Sequence, residues 1–134
     1  MKQLALLLIF LFAKLSFAQN KIPQSIKSSF TGTWIYEDKF HTNTIVINFE
    51  QGKDYAIFKD IGTGEAPTEN FRAKVKGNLL VIAAEREKND EIEMEIVKGK
   101  LHLRTRPAIW SRNGTIVNSK DTPWNKRVFK RVKK

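Results

Sequence analysis

No cysteine occurs anywhere in the 134 residues. Disulfides, thiol catalysis, zinc–thiolate sites and a lipid carried on cysteine are therefore excluded. Histidine is nearly as scarce: His41 and His102 are the two present, and neither has a carboxylate at metal-ligand spacing. Neither a metal nor a histidine acid–base site is expected, and no cofactor is implied. The Gly-x-Ser-x-Gly turn of serine hydrolases is missing too. Ile61-Gly62-Thr63-Gly64 has paired glycines but neither the lysine nor the following helix of a phosphate cradle, so it reads as a flexible loop. Beyond the first eighteen residues no stretch holds a 3.6-residue apolar period for three turns, which argues against a helical fold. An enzyme is not expected from this inventory.

What is present begins with a leader. Met1 and Lys2 precede an unbroken apolar run from Leu4 to Ala13, and a small-x-small ending follows at Ser16-Phe17-Ala18. Such a run makes a helix of about 15 Å, half of the roughly 30 Å hydrocarbon layer, so it suits a secretory signal rather than a membrane anchor. Residues 1–18 are expected to be removed after Ala18, leaving residues 19–134 as a single secreted or periplasmic domain without stable membrane insertion. Hydrophobic residues make up 41% of the chain, enough to exclude wholesale disorder.

Charge is uneven along the chain. From Lys100 onward eleven Lys and Arg stand against one acid, Asp121, whereas residues 19–99 carry eleven basic and thirteen acidic side chains. The basic strip has two readings, a site for an anionic partner centred on Arg104 and Arg106, or a solubilising surface. Nucleic acid is disfavoured by export and by the lack of interleaved basic and aromatic residues.

Period-two alternation recurs instead of helical spacing. Glu91-Ile92-Glu93-Met94-Glu95-Ile96 sets three carboxylates on one face and three apolar groups on the other. Phe71-Arg72-Ala73-Lys74-Val75-Lys76 and Leu101-His102-Leu103-Arg104 alternate as strictly, and Ile45, Ile47 and Phe49 form a further face. Gln51-Gly52, Gly77-Asn78, Asn89-Asp90, Gly99-Lys100 and Asn113-Gly114 punctuate these runs as turns. The pattern predicts strands near 32–38, 44–50, 53–60, 69–76, 79–87, 91–98, 101–106 and 126–132, with a helical or extended lid over 19–29. Eight short strands joined by hairpins leave an edge problem that closure solves, so an all-β, eight-stranded antiparallel up-and-down barrel is expected. An open two-sheet sandwich is the alternative. Glu91, Glu93 and Glu95 are expected on the outer face, paired with Lys or Arg of a neighbouring strand.

Gly32-Thr33-Trp34 opens the first strand, and Arg127-Val128-Phe129-Lys130-Arg131-Val132 forms the last. In this the chain resembles the compact bacterial lipocalin-like domains of the calycin superfamily, whose barrels begin with Gly-x-Trp and end with a basic residue covering the tryptophan. The resemblance implies that Gly32, Trp34 and Arg131 close the barrel, with Arg127 in reserve, through a cation–π contact of about 0.5–2 kcal/mol.

A barrel of eight strands has room for side chains or for one small ligand. The expected function is therefore non-covalent binding of a small apolar or amphipathic molecule, with Tyr36, Tyr55, Phe71, Ala73, Met94 and Trp110 as candidate contacts. From a different class, the domain could be a protein-interaction or inhibitor module that uses its surface. Glu37, Asp38, Asp60, Glu65 and Glu69 could meet at a barrel mouth, although paired carboxylates for glycoside hydrolysis are weighed well below plain solvated loop acids.

Overall fold

The computed structural model describes residues 21–117 and 122–133. The leader and its cleavage point after Ala18 lie outside the described residues. The chain forms a short helix α1 (Gln24–Phe30) and eight strands: β1 (Gly32–Glu37), β2 (Thr42–Phe49), β3 (Tyr55–Gly62), β4 (Glu69–Lys76), β5 (Leu79–Ile82), β6 (Glu91–Val97), β7 (Lys100–Arg106) and β8 (Asn125–Arg131). Each strand pairs antiparallel with its sequence neighbour, and β1 pairs with β8. That last pairing makes the sheet a closed barrel and rules out the open sandwich.

Closure leaves the apolar face of every strand pointing inward. Trp34, Ile45, Ile47, Ala56, Phe58, Ala73, Leu80, Met94, Leu101 and Phe129 are all buried, and among the described residues no polar or charged residue belongs to the buried set. Ala56 and Ala73 face each other across β3 and β4. Two small residues at one level let the larger ones interdigitate around them.

The two barrel ends differ. At one, strands join through tight turns at 50–54, 77–78 and 98–99, and α1 lies across the opening. Ile26 and Phe30, four residues apart on α1, face the core, and Phe30 is 1% exposed. The expected lid over 19–29 is this helix. Pro23 precedes it and tolerates the position because the first helical N–H groups have no intrahelical acceptor. The helix stops where Thr31 turns extended, φ −61° and ψ 130°, and Gly32 follows at φ +142°, a value that a side chain resists.

The seam is built where the resemblance implied. Trp34 and Arg131 are register partners of β1 and β8, and the guanidinium carbon sits 4.6 Å from the indole centroid. Trp34 Nε1 donates to Phe30 O at 2.9 Å, and Arg131 Nη2 donates to Ser29 O at 2.5 Å. Two of the last helical carbonyls, otherwise unsatisfied, are thus capped by the pair that fastens the barrel. Helix, first strand and last strand share one joint.

At the other end the connections are longer, 38–41, 63–68, 83–90 and 107–124. β5 stops at Ile82 rather than continuing to residue 87. Register between β4 and β5 therefore covers only Lys74–Lys76 against Leu79–Val81, and the upper half of β4 lacks a partner on that side. A lateral slot of about 640 Å³ results, with Phe71, Val75, Val81 and Ile82 among its walls.

Candidate functional site

Apolar side chains fill the inward face from the helix end to the middle of the barrel. Towards the open end the inward positions turn polar. Asn43 continues the face of Ile45 and Ile47, Asp60 that of Ala56 and Phe58, Thr105 that of Leu101 and Leu103, and Arg127 and Asn125 that of Phe129. Register places them at one level: Leu103 opposes Arg127, Thr105 opposes Asn125, and Ile92 opposes Thr105. They surround a mouth of about 230 Å³ that Ile45, Phe58, Ile92 and Leu103 complete from below.

A bulge follows Asp60 and gives its carboxylate a partner. Register between β2 and β3 shifts at Thr44/Ile45, so Gly62 opposes Thr44 while Asp60 opposes Ile45. The extra residue, Ile61, bends β3 so that the Gly62 N–H reaches back to Asp60 Oδ1 at 3.0 Å. Gly62 takes φ +61°, which glycine adopts at no steric cost. The glycine pair at 62 and 64 thus shapes a carboxylate position and not a phosphate loop. Burial pushes the Asp60 carboxyl above the ordinary range, and the neighbouring Glu69 pushes the same way; the Gly62 N–H and the Arg127 charge pull it back.

Arg127 stacks its guanidinium carbon 5.1 Å from the Tyr36 ring centroid, and Tyr36 in turn packs on Phe129 at 5.7 Å. Among the described residues it makes no salt bridge. Asn43 Oδ1 is out of contact with solvent and has no hydrogen-bond partner, the one buried side-chain polar atom of which this holds among the described residues. Such an orphan carries a desolvation cost of about 1–3 kcal/mol.

The sequence candidates scatter around this mouth. Tyr36 supports Arg127 from outside the lining of the mouth, and its hydroxyl donates to Asp38 Oδ2 at 2.9 Å. Asp38 itself is turned into its own hairpin loop, where Oδ1 accepts the N–H groups of Phe40 at 2.8 Å and His41 at 2.7 Å. Phe71 stacks on Phe58 at 6.1 Å and borders the lateral slot. Ala73 and Met94 are 0% exposed, deep in the core below the mouth. Trp110 pairs with Ile116 in a small hairpin of the long connection. Tyr55 departs from the expected placement: it alternates with buried Ala56, so it points outward, where Arg72 covers its ring at 4.6 Å.

Arg104 and Arg106 lie on the outer face, and their charge is largely met within the fold. Arg104 pairs with Glu93, and Arg106 Nη2 lies 2.8 Å from Glu91 Oε2, each across the β6–β7 ladder. Trp124 stacks on both guanidinium groups, 4.5 and 4.4 Å from their carbons. The expected pairing of the β6 glutamates is therefore present for Glu91 and Glu93, whereas Glu95 opposes His102. The pairing leaves these two arginines less available to an outside anion than the bare sequence count suggests.

Sequence reasoning passed over Asn43, Asp60, Thr105 and Arg127 as members of one site. The available signal was parity, because each is polar at a position whose neighbours two residues away are core. Among the described residues no cluster of side chains suited to a metal ion occurs, and no helix is long and apolar enough to cross a membrane. Compared with known proteins, the chain matches no family model and no curated relative.

Proposed function

We propose that this protein is an exported, lipocalin-like carrier of calycin type that holds a small amphipathic molecule, without covalent attachment, in the open mouth of its barrel. The observation that carries the reading is a cavity of about 230 Å³ at the open barrel end, lined by Asn43, Asp60, Thr105 and Arg127 above and by Ile45, Phe58, Ile92 and Leu103 below. Apolar walls below and polar groups above suit a molecule with one apolar and one polar end. The solid core underneath sets its size: a mouth of this volume holds the space of about seven or eight waters, not a long chain.

A second reading, a surface-interaction module, draws on the exposed apolar side chains of the open end, with Phe40 79% and Val117 56% exposed. Native mass spectrometry of the protein isolated from its source separates the two. The carrier reading expects a mass excess that disappears on denaturation and is absent from Thr105→Trp, whose indole would occupy the mouth. No mass excess in the wild type overturns it in favour of the surface module.

A further inference from the structure

The charged groups of the mouth are of opposite sign, and they do not neutralise one another. Arg127 and Asp60 line the same cavity, yet no salt bridge joins them. The Arg127 charge acts on the Asp60 carboxyl through space. Arg127 is held by the face of Tyr36, and Asp60 by the Gly62 N–H. Asn43 and Thr105 complete the polar rim of the same cavity. One cationic donor and one carboxylate acceptor thus converge above an apolar floor of Phe58, Ile92 and Leu103.

Resting on the reading of the mouth as a binding site, we infer that its ligand is a compact zwitterion with an apolar side group, of the class of free aliphatic α-amino acids. The ligand carboxylate faces Arg127, its ammonium group faces Asp60, and its side chain rests on the floor. Simpler charge patterns fit less well. A plain anion would satisfy Arg127 but set its charge against Asp60. A plain cation would meet Arg127 with like charge. A long acyl chain has nowhere to go, because Trp34, Leu80, Leu101 and Phe129 fill the barrel beneath. A zwitterion answers both charges, and it keeps the desolvated site neutral overall.

Calorimetric titration with three compounds of one carbon skeleton tests this directly. L-leucine carries both charges, isocaproate lacks the ammonium group, and isopentylamine lacks the carboxylate. L-leucine is expected to bind the wild type, and each analogue to bind at least about thirtyfold more weakly, the equivalent of about 2 kcal/mol for removing one partner of a desolvated charge pair. Asp60→Asn should shrink the gap between L-leucine and isocaproate, and Arg127→Met the gap between L-leucine and isopentylamine. Thermal melts of both variants check that the barrel stands. Isocaproate binding as tightly as L-leucine, or no L-leucine binding at all, overturns the inference. Should either result accompany a native mass excess, the mouth carries another chemical class and the carrier reading survives. Without that excess both fall.

Discussion

Asp38 and Asp60 stand twenty-two residues apart near the same barrel end, and their surroundings push them in opposite directions. The Phe40 N–H, the Tyr36 hydroxyl and the His41 N–H, in that order, hold the Asp38 carboxyl down to about 2 from an ordinary 3.8. Its folded-state pKa is depressed, so the stability it contributes is present above pH 3.8 and is lost as pH falls towards 2. Burial raises Asp60 instead, so the folded state binds the proton more tightly than the unfolded chain does. Stability therefore falls as pH rises through the interval above 3.8, and Asp60 weakens the fold at neutral pH. Thermal melts across the acid range should show Asp38→Asn losing the acid-side drop, and Asp60→Asn melting higher than wild type at neutral pH. A lower neutral melting temperature for Asp60→Asn would mean that its ionised form supports the mouth. A charged group that weakens the fold where it stands is what a binding position looks like on stability grounds.

The joint between β1, β8 and α1 works at the scale of elements. Trp34 is wholly buried, and Arg131 covers it while holding a carbonyl at the end of α1. Gly32 fits beneath: a Cβ there would lie 3.9 Å from Arg131 Cδ, with space to spare, but at φ +142° it would be strained. Glycine is required here by backbone conformation and not by crowding. In a double-mutant cycle in urea, Trp34→Phe and Arg131→Met should couple by about 0.5–2 kcal/mol, the range of a cation–π contact. Strictly additive losses would mean that the two side chains stabilise the barrel independently. β6 and β7 show the same logic on the outer face, where Glu91 and Glu93 meet Arg106 and Arg104 in register and Trp124 covers both arginines. Such cross-strand pairs contribute about 0.2–1 kcal/mol each, and their larger effect here is to draw the basic strip back onto its own domain.

For the whole molecule, the absence of cysteine means that the barrel stands without disulfides. Export is a proposal resting on the short apolar run at the N-terminus, and under it N-terminal sequencing should find Gln19 as the first residue. Recovery from a membrane fraction with Met1 still in place would overturn export as a cleaved domain. Stability of the barrel depends on one continuous core closed by the β1–β8 seam. Breaking that seam exposes two strand edges together, which is the state most open to association.

Strand positions were legible because a side-chain period of two betrays itself wherever one face is buried, as in Glu91–Val97 and Glu69–Lys76. Closure at Trp34 and Arg131 was legible from the two ends of the chain and their antiparallel register. Length was less so: the pattern predicts a strand over 79–87, yet β5 ends at Ile82, because side-chain pattern does not say where a partner strand stops hydrogen bonding. The mouth was legible only in part: Asp60 was expected near a barrel mouth, but in the company of other loop acids. Asn43, Thr105 and Arg127 look like ordinary polar residues of a half-solvated strand, and alternation alone assigns them to the core face without saying that the core has run out. That depends on which barrel end α1 plugs and on the register that sets four strands at one level. Local periodicity determined the strands and the chain ends determined the seam. Only the closed barrel, with its filled half and its open half, decided that these four side chains share one site.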